Sequence, residues 1–278
     1  MGIVGGGFMG SGIAESAARA GVTVHVYEPD PAPLERSRER IAASVGKAVS
    51  GGKLEASDGE ALQGRITWTS DLGDLADADL VIEAVVEDPK VKHAVFEQLD
   101  ATIKPDALLA SNTSSIPIAE LAAATKRPEH VLGLHFFSPV PVMKLVEIVV
   151  ALQTGDEAVA GAEAFVETLG KTPIRAGDRS GFIVNALLVP YLIAAIRMYE
   201  EGFATREAID EGMRLGCGHP MGPLTLSDFV GLDVVAAVGD SLYEEFRRPE
   251  YAPPPLLRRM ISAGRLGRKS GQGFYEYQ

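Results

Sequence analysis

Apolar and polar positions follow two patterns along the first 180 residues: short β-branched runs and longer stretches with helical spacing. The runs predict strands, and the longer stretches predict helices between them. The predicted strands are GIVG, VTVHVY, RITWT, ADLVIEAV, ALLASNT, VLGLHFF, MKLVEIVV and TPIRA. Strands that alternate with helices are typical of a mostly parallel sheet covered on both faces. We therefore expect an α/β domain of the Rossmann type over residues 1–180.

The pattern changes after Gly181, where the strand-like segments stop. The stretch GFIVNALLVPYLIAAIRMYEEGFA has the spacing of one long apolar helix, and further helical segments follow to about Ala263. The polar, glycine-containing stretch RAGDRSG is the best boundary between the two halves. The sequence thus predicts a second, all-α domain over residues 181–278, whose apolar helices must be buried against another surface.

The bulk composition is that of an ordinary globular protein, with 278 residues, 46% hydrophobic residues and a formal charge of -12. The acidic balance argues against a nucleic-acid partner or an anionic membrane surface. The single cysteine, Cys217, excludes an internal disulfide and fits a reducing cytosol. The sequence shows neither a signal-peptide pattern nor an apolar run of membrane-spanning length, so we expect a cytoplasmic protein.

A glycine-rich turn follows the first predicted strand. GIVGGGFMGSG places Gly5, Gly7 and Gly10 between that strand and a helix, the context in which this spacing predicts a dinucleotide site. Glu28 ends the next strand, where its carboxylate would bind the adenosine ribose hydroxyls and repel a 2′-phosphate. We therefore expect NAD(H) rather than NADP(H), although Glu28 alone could be a solvated strand end. Because the chain begins only four residues before Gly5, the first strand is expected to be short or trimmed.

Polar side chains follow two later strands. LLASNTSS places Ser114 after one strand, and LGLHFFSP places His135 at the end of the next. Open α/β sheets bind ligands beyond the carboxyl ends of their strands. Histidine is the side chain best suited to exchange protons near neutral pH, which the oxidation of an alcohol requires. Taken singly, His135 could be a satisfied core residue and Ser114 a helix cap.

Glu147 lies in the middle of the apolar strand MKLVEIVV, where an ionised carboxylate costs free energy unless it is paired. Asn185 is a polar residue near the start of the long apolar helix. Glu147 could instead face solvent on an edge strand, and Asn185 could be satisfied within helix packing. A carboxylate, an imidazole, a hydroxyl and an amide near one crevice indicate an active site.

The motifs together resemble the 3-hydroxyacyl-CoA dehydrogenase family, in particular its short bacterial 3-hydroxybutyryl-CoA dehydrogenases. The resemblance covers nearly the whole chain and rests on GGGFMGSGIAE, VIEAVVED, ASNTSSIPI, GLHFFSPVPVMKLVEIV, DRSGFIVNALLVPYL, HPMGPLTLSDFVGLD and GRKSGQGFYEY. It implies reversible hydride transfer between NAD and C3 of a 3-hydroxyacyl or 3-oxoacyl thioester. The apolar helices after Gly181 suggest a homodimer through the helical domain, and the resemblance supports it; no metal is expected.

The resemblance assigns roles to single residues. His135 would be the general base in oxidation and the general acid in reduction, oriented by Glu147, while Ser114 and Asn185 would hold the substrate oxygens. The implied NAD contacts are Gly5, Gly7, Phe8, Met9, Gly10, Glu28, Glu87, Lys92, Ser114 and Lys269. The implied CoA contacts are Ser44, Lys53 and Lys92; for Ser44 and Lys53 a solvated helix face is the alternative. Ser138 stands where the family often has asparagine, which leaves the acyl preference open.

Other functions fit parts of the same pattern. A biosynthetic relative would act on an acyl group held by acyl carrier protein, and Ser44 and Lys53 would then contact that carrier. A hydroxy-acid dehydrogenase would act on sugar acids or carnitine-like acids and turn over no thioester. A non-catalytic NAD-binding protein would have no use for the four polar residues, and a structural interaction module would have none for the glycine turn.

Overall fold

The computed structural model describes residues 1–277. These residues form two compact units, and the boundary between the units falls between Asp178 and Arg179. The first unit contains a single eight-stranded sheet with helices, and the second unit is helical. The expected fold class, a Rossmann-type domain of mostly parallel strands followed by an all-α domain, is confirmed.

The sheet of the first unit has the order β3-β2-β1-β4-β5-β6-β7-β8. Its strands are β1 (Gly2–Val4), β2 (Val24–Tyr27), β3 (Ile66–Thr69), β4 (Leu80–Glu83), β5 (Leu108–Ser111), β6 (Val131–Phe136), β7 (Leu145–Val150) and β8 (Thr172–Gly177). Among these strands, only β6 and β7 pair antiparallel. The strand order reverses between β1 and β4, which is where open α/β sheets bind their ligands.

Six α-helices belong to the first unit. They are α1 (Phe8–Arg19), α2 (Pro31–Ser50), α3 (Ala56–Gly64), α4 (Pro89–Thr102), α5 (Ile118–Ala123) and α6 (Asp156–Thr168). The sequence pattern did not predict α3, because that helix buries only Gly59 and Leu62 and so shows little apolar spacing. The strand β4 is also shorter than the pattern suggested, since the N–H of Val85 donates to the side chain of Glu83 rather than to the sheet.

The core of the first unit lies between the sheet and its helices. Small residues of α1 allow that helix to lie close to branched side chains of the sheet, and both sets are fully buried. Each buried valine or isoleucine contributes about 1.5–3 kcal/mol relative to an exposed one. Representative members are Ile3, Val26, Ile82, Leu132, Ile148, Ala14 and Ala17. This packing fixes the carboxyl ends of the parallel strands, from which the candidate site is built.

The second unit contains α7 (Val184–Glu200), α8 (Arg206–Cys217), α9 (Pro223–Val230), α10 (Leu232–Phe246) and α11 (Pro255–Ser262). These helices enclose their own core, which includes Leu192, Ile196, Leu224, Val235 and Leu242. Within residues 1–277, no helix is both long and apolar enough to cross a membrane.

The tail GFYEY, residues 273–277, is held by hydrogen bonds to one buried carboxylate. Asp228 is 1% exposed and accepts hydrogen bonds from the N–H groups of Phe274 and Tyr275 and from the Tyr277 hydroxyl, each at 2.9 Å. Burial is the main reason that the pKa of Asp228 is raised, and the neighbouring Asp210 acts in the same direction. The tail makes only isolated bridges, because its N–H groups go to a side chain rather than to a strand partner.

Candidate active site

Two glycines of the turn after β1 are required by close contacts. Gly5 has φ +99°, and a Cβ there would lie 2.6 Å from the carbonyl oxygen of Ala84. A Cβ on Gly10 would lie 1.8 Å from the carbonyl oxygen of Gly5, so no side chain fits there. The turn therefore lies close to the end of β4 at Gly5, and the first residues of α1 lie close to the turn at Gly10.

The start of α1 has the shape that a pyrophosphate needs. Gly7 is the N-cap of this helix, and a Cβ built on it would meet no atom within 4 Å. The first N–H groups of a helix lack partners within the helix and carry partial positive charge, so they attract an anion. Phe8 is 60% exposed and Met9 half-buried beside this space. The glycine turn thus fits a dinucleotide on the evidence of its own geometry.

Glu28 lies against the same turn. It follows β2, and its Oε1 atom accepts a hydrogen bond from the N–H of Gly6 at 2.7 Å. This contact sets a carboxylate beside the glycine turn, where it would repel a 2′-phosphate. Arg40 of α2 supports the turn from another side, donating to the carbonyl oxygen of Gly6 at 2.9 Å and to the Ser11 hydroxyl at 2.8 Å. No sequence signal distinguishes Arg40 from the other arginines of α2.

His135 and Glu147 form a buried pair. They face each other across the antiparallel strands β6 and β7, and Nδ1 of His135 lies 2.7 Å from Oε2 of Glu147. His135 is 4% exposed and Glu147 is 0% exposed, so Glu147 does not face solvent. The ring of Phe137 packs edge-on against the imidazole, with 4.6 Å between centroids. The imidazole is thereby held by a charge on one side and an aromatic ring on another.

Ser114 lies on the opposite side of the imidazole from Glu147. Its Oγ is 3.0 Å from Nε2 of His135. The turn that carries Ser114 follows β5 and is fixed at two points. Asn112 Oδ1 accepts the N–H of Phe136 at 2.9 Å, and Glu87 Oε1 accepts the N–H of Ser114 at 2.9 Å. The structure therefore brings Ser114, His135 and Glu147 together in one hydrogen-bonded row.

Glu87 and Lys92 belong to the same region. Partial burial works against ionisation of Glu87, whose side chain is 41% exposed, but the charge of Lys92 and hydrogen bonds from Thr113 and Ser114 hold its pKa below the usual value. Lys92 is 1% exposed, and its Nζ lies 2.6 Å from Glu83 Oε1 and 3.3 Å from Glu87 Oε2. The ammonium thus faces carboxylates of its own chain, and its contact with a cofactor or thioester stays a prediction.

Sequence reasoning missed Glu83. It is the last residue of β4 and is completely buried. A signal was available, because Glu83 interrupts the apolar run in VIEAVVED just as Glu147 interrupts MKLVEIVV. A carboxylate inside an apolar strand needs a partner, and that partner is Lys92.

The proposed CoA contacts lie on or after α2. Ser44 is half-buried and lines a small cavity of about 100 Å³ together with Phe8, Arg40 and Val140. Lys53 follows the end of α2 and is exposed. Ser138, the departure from the family motif, is exposed in the loop after β6. Lys53 therefore lies on no helix face, and its contact with CoA stays a prediction, as does that of Ser44.

Two predicted site residues belong to the second unit. Asn185 is the second residue of α7 and is half-buried. Lys269 lies in the tail, where its Nζ pairs with the carboxylate of Asp233 at 2.6 Å. Their contributions to substrate and NAD binding remain predictions.

The sheet order and the glycine turn are those of dinucleotide-binding proteins, and the buried imidazole at the strand ends suits the proton exchange of a nicotinamide-dependent dehydrogenase. Residues 1–179 match the family model described as 3-hydroxyacyl-CoA dehydrogenase, NAD binding domain, and residues 181–277 match the model of its C-terminal domain. The chain therefore belongs to the 3-hydroxyacyl-CoA dehydrogenase family. The expected resemblance and the expected cofactor, NAD, are both confirmed.

Several relatives are similar over their whole length. A 3-hydroxybutyryl-CoA dehydrogenase of Mycobacterium tuberculosis is 57% identical over 279 residues, covering 100% of this chain and 98% of the relative. The crystal structure of M. tuberculosis FadB2 has a TM-score of 0.99 and 57% identity, with 100% and 98% of the two chains covered. The (S)-3-hydroxybutyryl-CoA dehydrogenase of Ralstonia eutropha has a TM-score of 0.95 and 43% identity, with the same coverage.

Proposed function

We propose that this protein is an NAD(H)-dependent 3-hydroxybutyryl-CoA dehydrogenase, which transfers a hydride reversibly between NAD and C3 of a 3-hydroxyacyl or 3-oxoacyl thioester. The observation that carries the proposal is the hydrogen-bonded row of Ser114, His135 and Glu147 beside a glycine turn shaped for a dinucleotide. The full-length similarity to proteins named 3-hydroxybutyryl-CoA dehydrogenase supports the choice of substrate.

The proton chemistry follows from the two sides of the imidazole. An ionised carboxylate only accepts hydrogen bonds, so Glu147 keeps the hydrogen of His135 on Nδ1. Nε2 is then the nitrogen that exchanges a proton with the substrate oxygen. In reduction Nε2–H donates that proton to the C3 oxygen, and in oxidation Nε2 accepts it from the hydroxyl.

Ser114 adapts to both states of the imidazole. Its hydroxyl donates to Nε2 when that nitrogen carries no hydrogen, and its oxygen accepts from Nε2–H when the ring is charged. The same hydroxyl can bind the substrate oxygen and so align it with Nε2. Holding the reacting atoms in this geometry lowers the barrier by restricting their motion before reaction.

Burial strengthens the stabilisation of the His135 imidazolium by the Glu147 carboxylate. Within a site that excludes water, a carboxylate stabilises an adjacent imidazolium more strongly than it would in solvent. Bound NAD supplies or accepts the hydride, and the glycine turn, the first turn of α1 and Glu28 would hold it. In this proposal Asn185 contributes to substrate binding, Lys269 to NAD binding, and Ser44 and Lys53 to CoA binding.

A homodimer through the helical unit is part of the same proposal. Large apolar side chains are exposed on the helices of that unit and in the loop between α7 and α8: Leu187 is 73% exposed, Leu215 is 75% exposed, and Phe203, in the loop, is 78% exposed. An apolar cavity of about 400 Å³ also opens in this unit, lined by Met198, Phe203 and Met213 among others. Exposed apolar side chains beside an apolar cavity support an interface in this unit. Light scattering on the wild type and on Leu215→Glu tests it, and a monomeric wild type contradicts it.

A cytoplasmic location also belongs to the proposal. Cys217 is exposed and forms no disulfide, which suits a reducing compartment. Fractionation of cells that produce the protein is the direct test, and recovery outside the cytoplasm contradicts this location.

The activity is tested by following NADH oxidation with acetoacetyl-CoA as substrate. Matched reactions use NADPH, longer 3-oxoacyl-CoAs, acetoacetyl groups on acyl carrier protein, and hydroxy acids with NAD. We expect turnover with the CoA thioester and NADH. Turnover on the carrier protein alone would identify the biosynthetic alternative, and turnover on hydroxy acids alone would identify the other dehydrogenase class.

A further inference from the structure

The carboxylate of Glu83 joins three elements at the end of β4. Its Oε1 accepts hydrogen bonds from Lys92 Nζ at 2.6 Å and from the N–H of Val85 at 2.7 Å. Its Oε2 accepts from the Ser111 hydroxyl at 2.7 Å, and Ser111 is its direct neighbour on β5. The buried carboxylate of Glu83 therefore joins helix α4, the loop after β4 and the end of β5 by hydrogen bonds.

A continuous row of contacts leads from Glu83 to the candidate active site. Lys92 Nζ, held by Glu83, lies 3.3 Å from Glu87 Oε2. Glu87 Oε1 accepts the Thr113 hydroxyl at 2.6 Å and the N–H of Ser114 at 2.9 Å. The hydroxyl of Ser114 then lies 3.0 Å from Nε2 of His135. Three charged side chains thus set the backbone of the turn that presents Ser114.

We propose that Glu83 is a positioning residue for this reaction: it fixes the ammonium of Lys92, through which Glu87 holds Ser114 in line with His135. The proposal rests on the proposed dehydrogenase function. Glu83 touches neither substrate nor cofactor in this role, and it acts only through Lys92 and Glu87.

The position of Glu87 depends on Glu83 because both carboxylates pair with the same ammonium, that of Lys92. Two carboxylates share the single ammonium of Lys92, and the Glu83 contact is the shorter one, at 2.6 Å against 3.3 Å. If Glu83 were neutral, Glu87 would be the only charge compensating a buried ammonium. The buried, uncompensated ammonium of Lys92 would then draw Glu87 toward itself and away from the N–H of Ser114.

The competing explanation is that Glu83 and Lys92 only stabilise the fold. A buried ion pair is weak evidence for that role, because a well-packed apolar pair of similar volume often folds as well or better. Loss of one partner is costly in either case, since it leaves the other charge buried and uncompensated. Activity and stability must therefore be measured separately.

The test compares Glu83→Gln, Lys92→Met and the double variant E83Q/K92M with Asp100→Asn. Asp100 is a matched control, because it lies near the other end of α4 and its carboxylate forms a similar, mostly buried pair with Arg127 at 2.9 Å. We expect Glu83→Gln to lower kcat by about 10- to 100-fold, the size of effect that misplacement of a reacting group produces. Because Glu87 and Lys92 are also predicted NAD contacts, kcat is measured at saturating NADH and acetoacetyl-CoA, so that weaker binding does not lower it.

The double variant separates the two explanations. Removing both charges relieves the uncompensated ammonium, so the unfolding midpoint should recover toward the wild type. The double variant also lacks the ammonium that holds Glu87 in place, so Glu87 no longer fixes the turn that carries Ser114 and kcat should stay low. Recovery of kcat together with stability, or an equal loss of kcat in Asp100→Asn, would overturn the proposal.

An NMR measurement keeps this test independent of the assigned substrate. The His135 imidazole signal, identified by its loss in His135→Gln, should move in Glu83→Gln and stay in place in Asp100→Asn. If the wild type turns over no acetoacetyl-CoA, the proposed function fails while this signal still reports on Ser114. An unmoved signal in Glu83→Gln would overturn the positioning role by itself.

Discussion

His135 and Glu147 are paired by strand register, since the two residues face each other directly across β6 and β7 with 2.7 Å between Nδ1 and Oε2. Both residues lie within strands, and neither lies on a loop. Both side chains are buried, so the charge of the carboxylate is little weakened by water. The strand register therefore fixes the positions of both residues.

Glu147→Gln should lower kcat by about 100-fold, because a neutral amide neither stabilises the imidazolium nor fixes its tautomer. The change keeps the side-chain volume, so the unfolding free energy should fall by no more than about 1–3 kcal/mol. Steady-state kinetics and denaturant unfolding measure the two effects. Glu163→Gln is the control, since Glu163 pairs with Arg175 at the surface through a 2.6 Å contact. Equal kcat losses in the two variants would contradict the role of Glu147.

His135→Gln should abolish measurable turnover, a loss of about 1000-fold or more, while NADH still binds. Ser114→Ala should be milder, because it removes the hydroxyl that aligns the substrate but keeps the backbone N–H that Glu87 binds. NADH binding by fluorescence, measured beside kcat, separates chemistry from cofactor binding. Loss of NADH binding in His135→Gln would argue against a purely chemical role for the imidazole.

The sequence allowed much of the fold to be predicted, because periodicity and parallel-strand geometry act locally or by simple rules. Ser114 and His135 could be placed at the same edge of the sheet for that reason. Arg40 could not be found, because its bond to the Gly6 carbonyl joins residues 34 apart through the packing of α2. Glu83 carried the same signal as Glu147, a lone carboxylate in an apolar strand, and was overlooked. Its partner depends on where α4 packs, which no local pattern specifies.

The glycine turn offers a pair of substitutions with opposite expectations. Gly7→Ala should fold normally, because Gly7 has φ -63° and its Cβ would meet no protein atom within 4 Å. The added methyl would occupy the space expected for the pyrophosphate, so NADH affinity should fall by about 10-fold or more. Gly10→Ala should instead lose stability, by about 1–3 kcal/mol or more, since its Cβ would lie 1.8 Å from the Gly5 carbonyl oxygen. Normal NADH affinity in a folded Gly7→Ala protein would contradict this placement of the cofactor.

Glu28 should decide between NADH and NADPH. Its carboxylate lies against the glycine turn, accepting the N–H of Gly6 at 2.7 Å, and would repel a 2′-phosphate. Glu28→Gln removes the charge and keeps the hydrogen-bonding oxygen, so the ratio of kcat/KM for NADH over NADPH should fall by about 10-fold. Glu35→Gln, on the exposed side of α2, serves as the control. An unchanged ratio in Glu28→Gln would remove Glu28 from cofactor selection.

Glu87 makes the stability of the first unit sensitive to acid. The folded pKa of Glu87 is lowered from an ordinary value of 4.5: burial opposes this shift, but Lys92 and the donors on Thr113 and Ser114 outweigh it. A lowered folded pKa means that ionised Glu87 contributes its full stabilisation above pH 4.5 and loses it as the pH falls through the folded value. Because the Glu87 side chain is 41% exposed, solvent screens its contacts, so the wild type should exceed Glu87→Gln by only about 0.5–1 kcal/mol near neutral pH, and this difference should shrink in acid. Denaturant unfolding of both proteins across the acidic range measures it. A difference that grew as the pH fell would show that the ionised carboxylate does not stabilise the turn that carries Ser114.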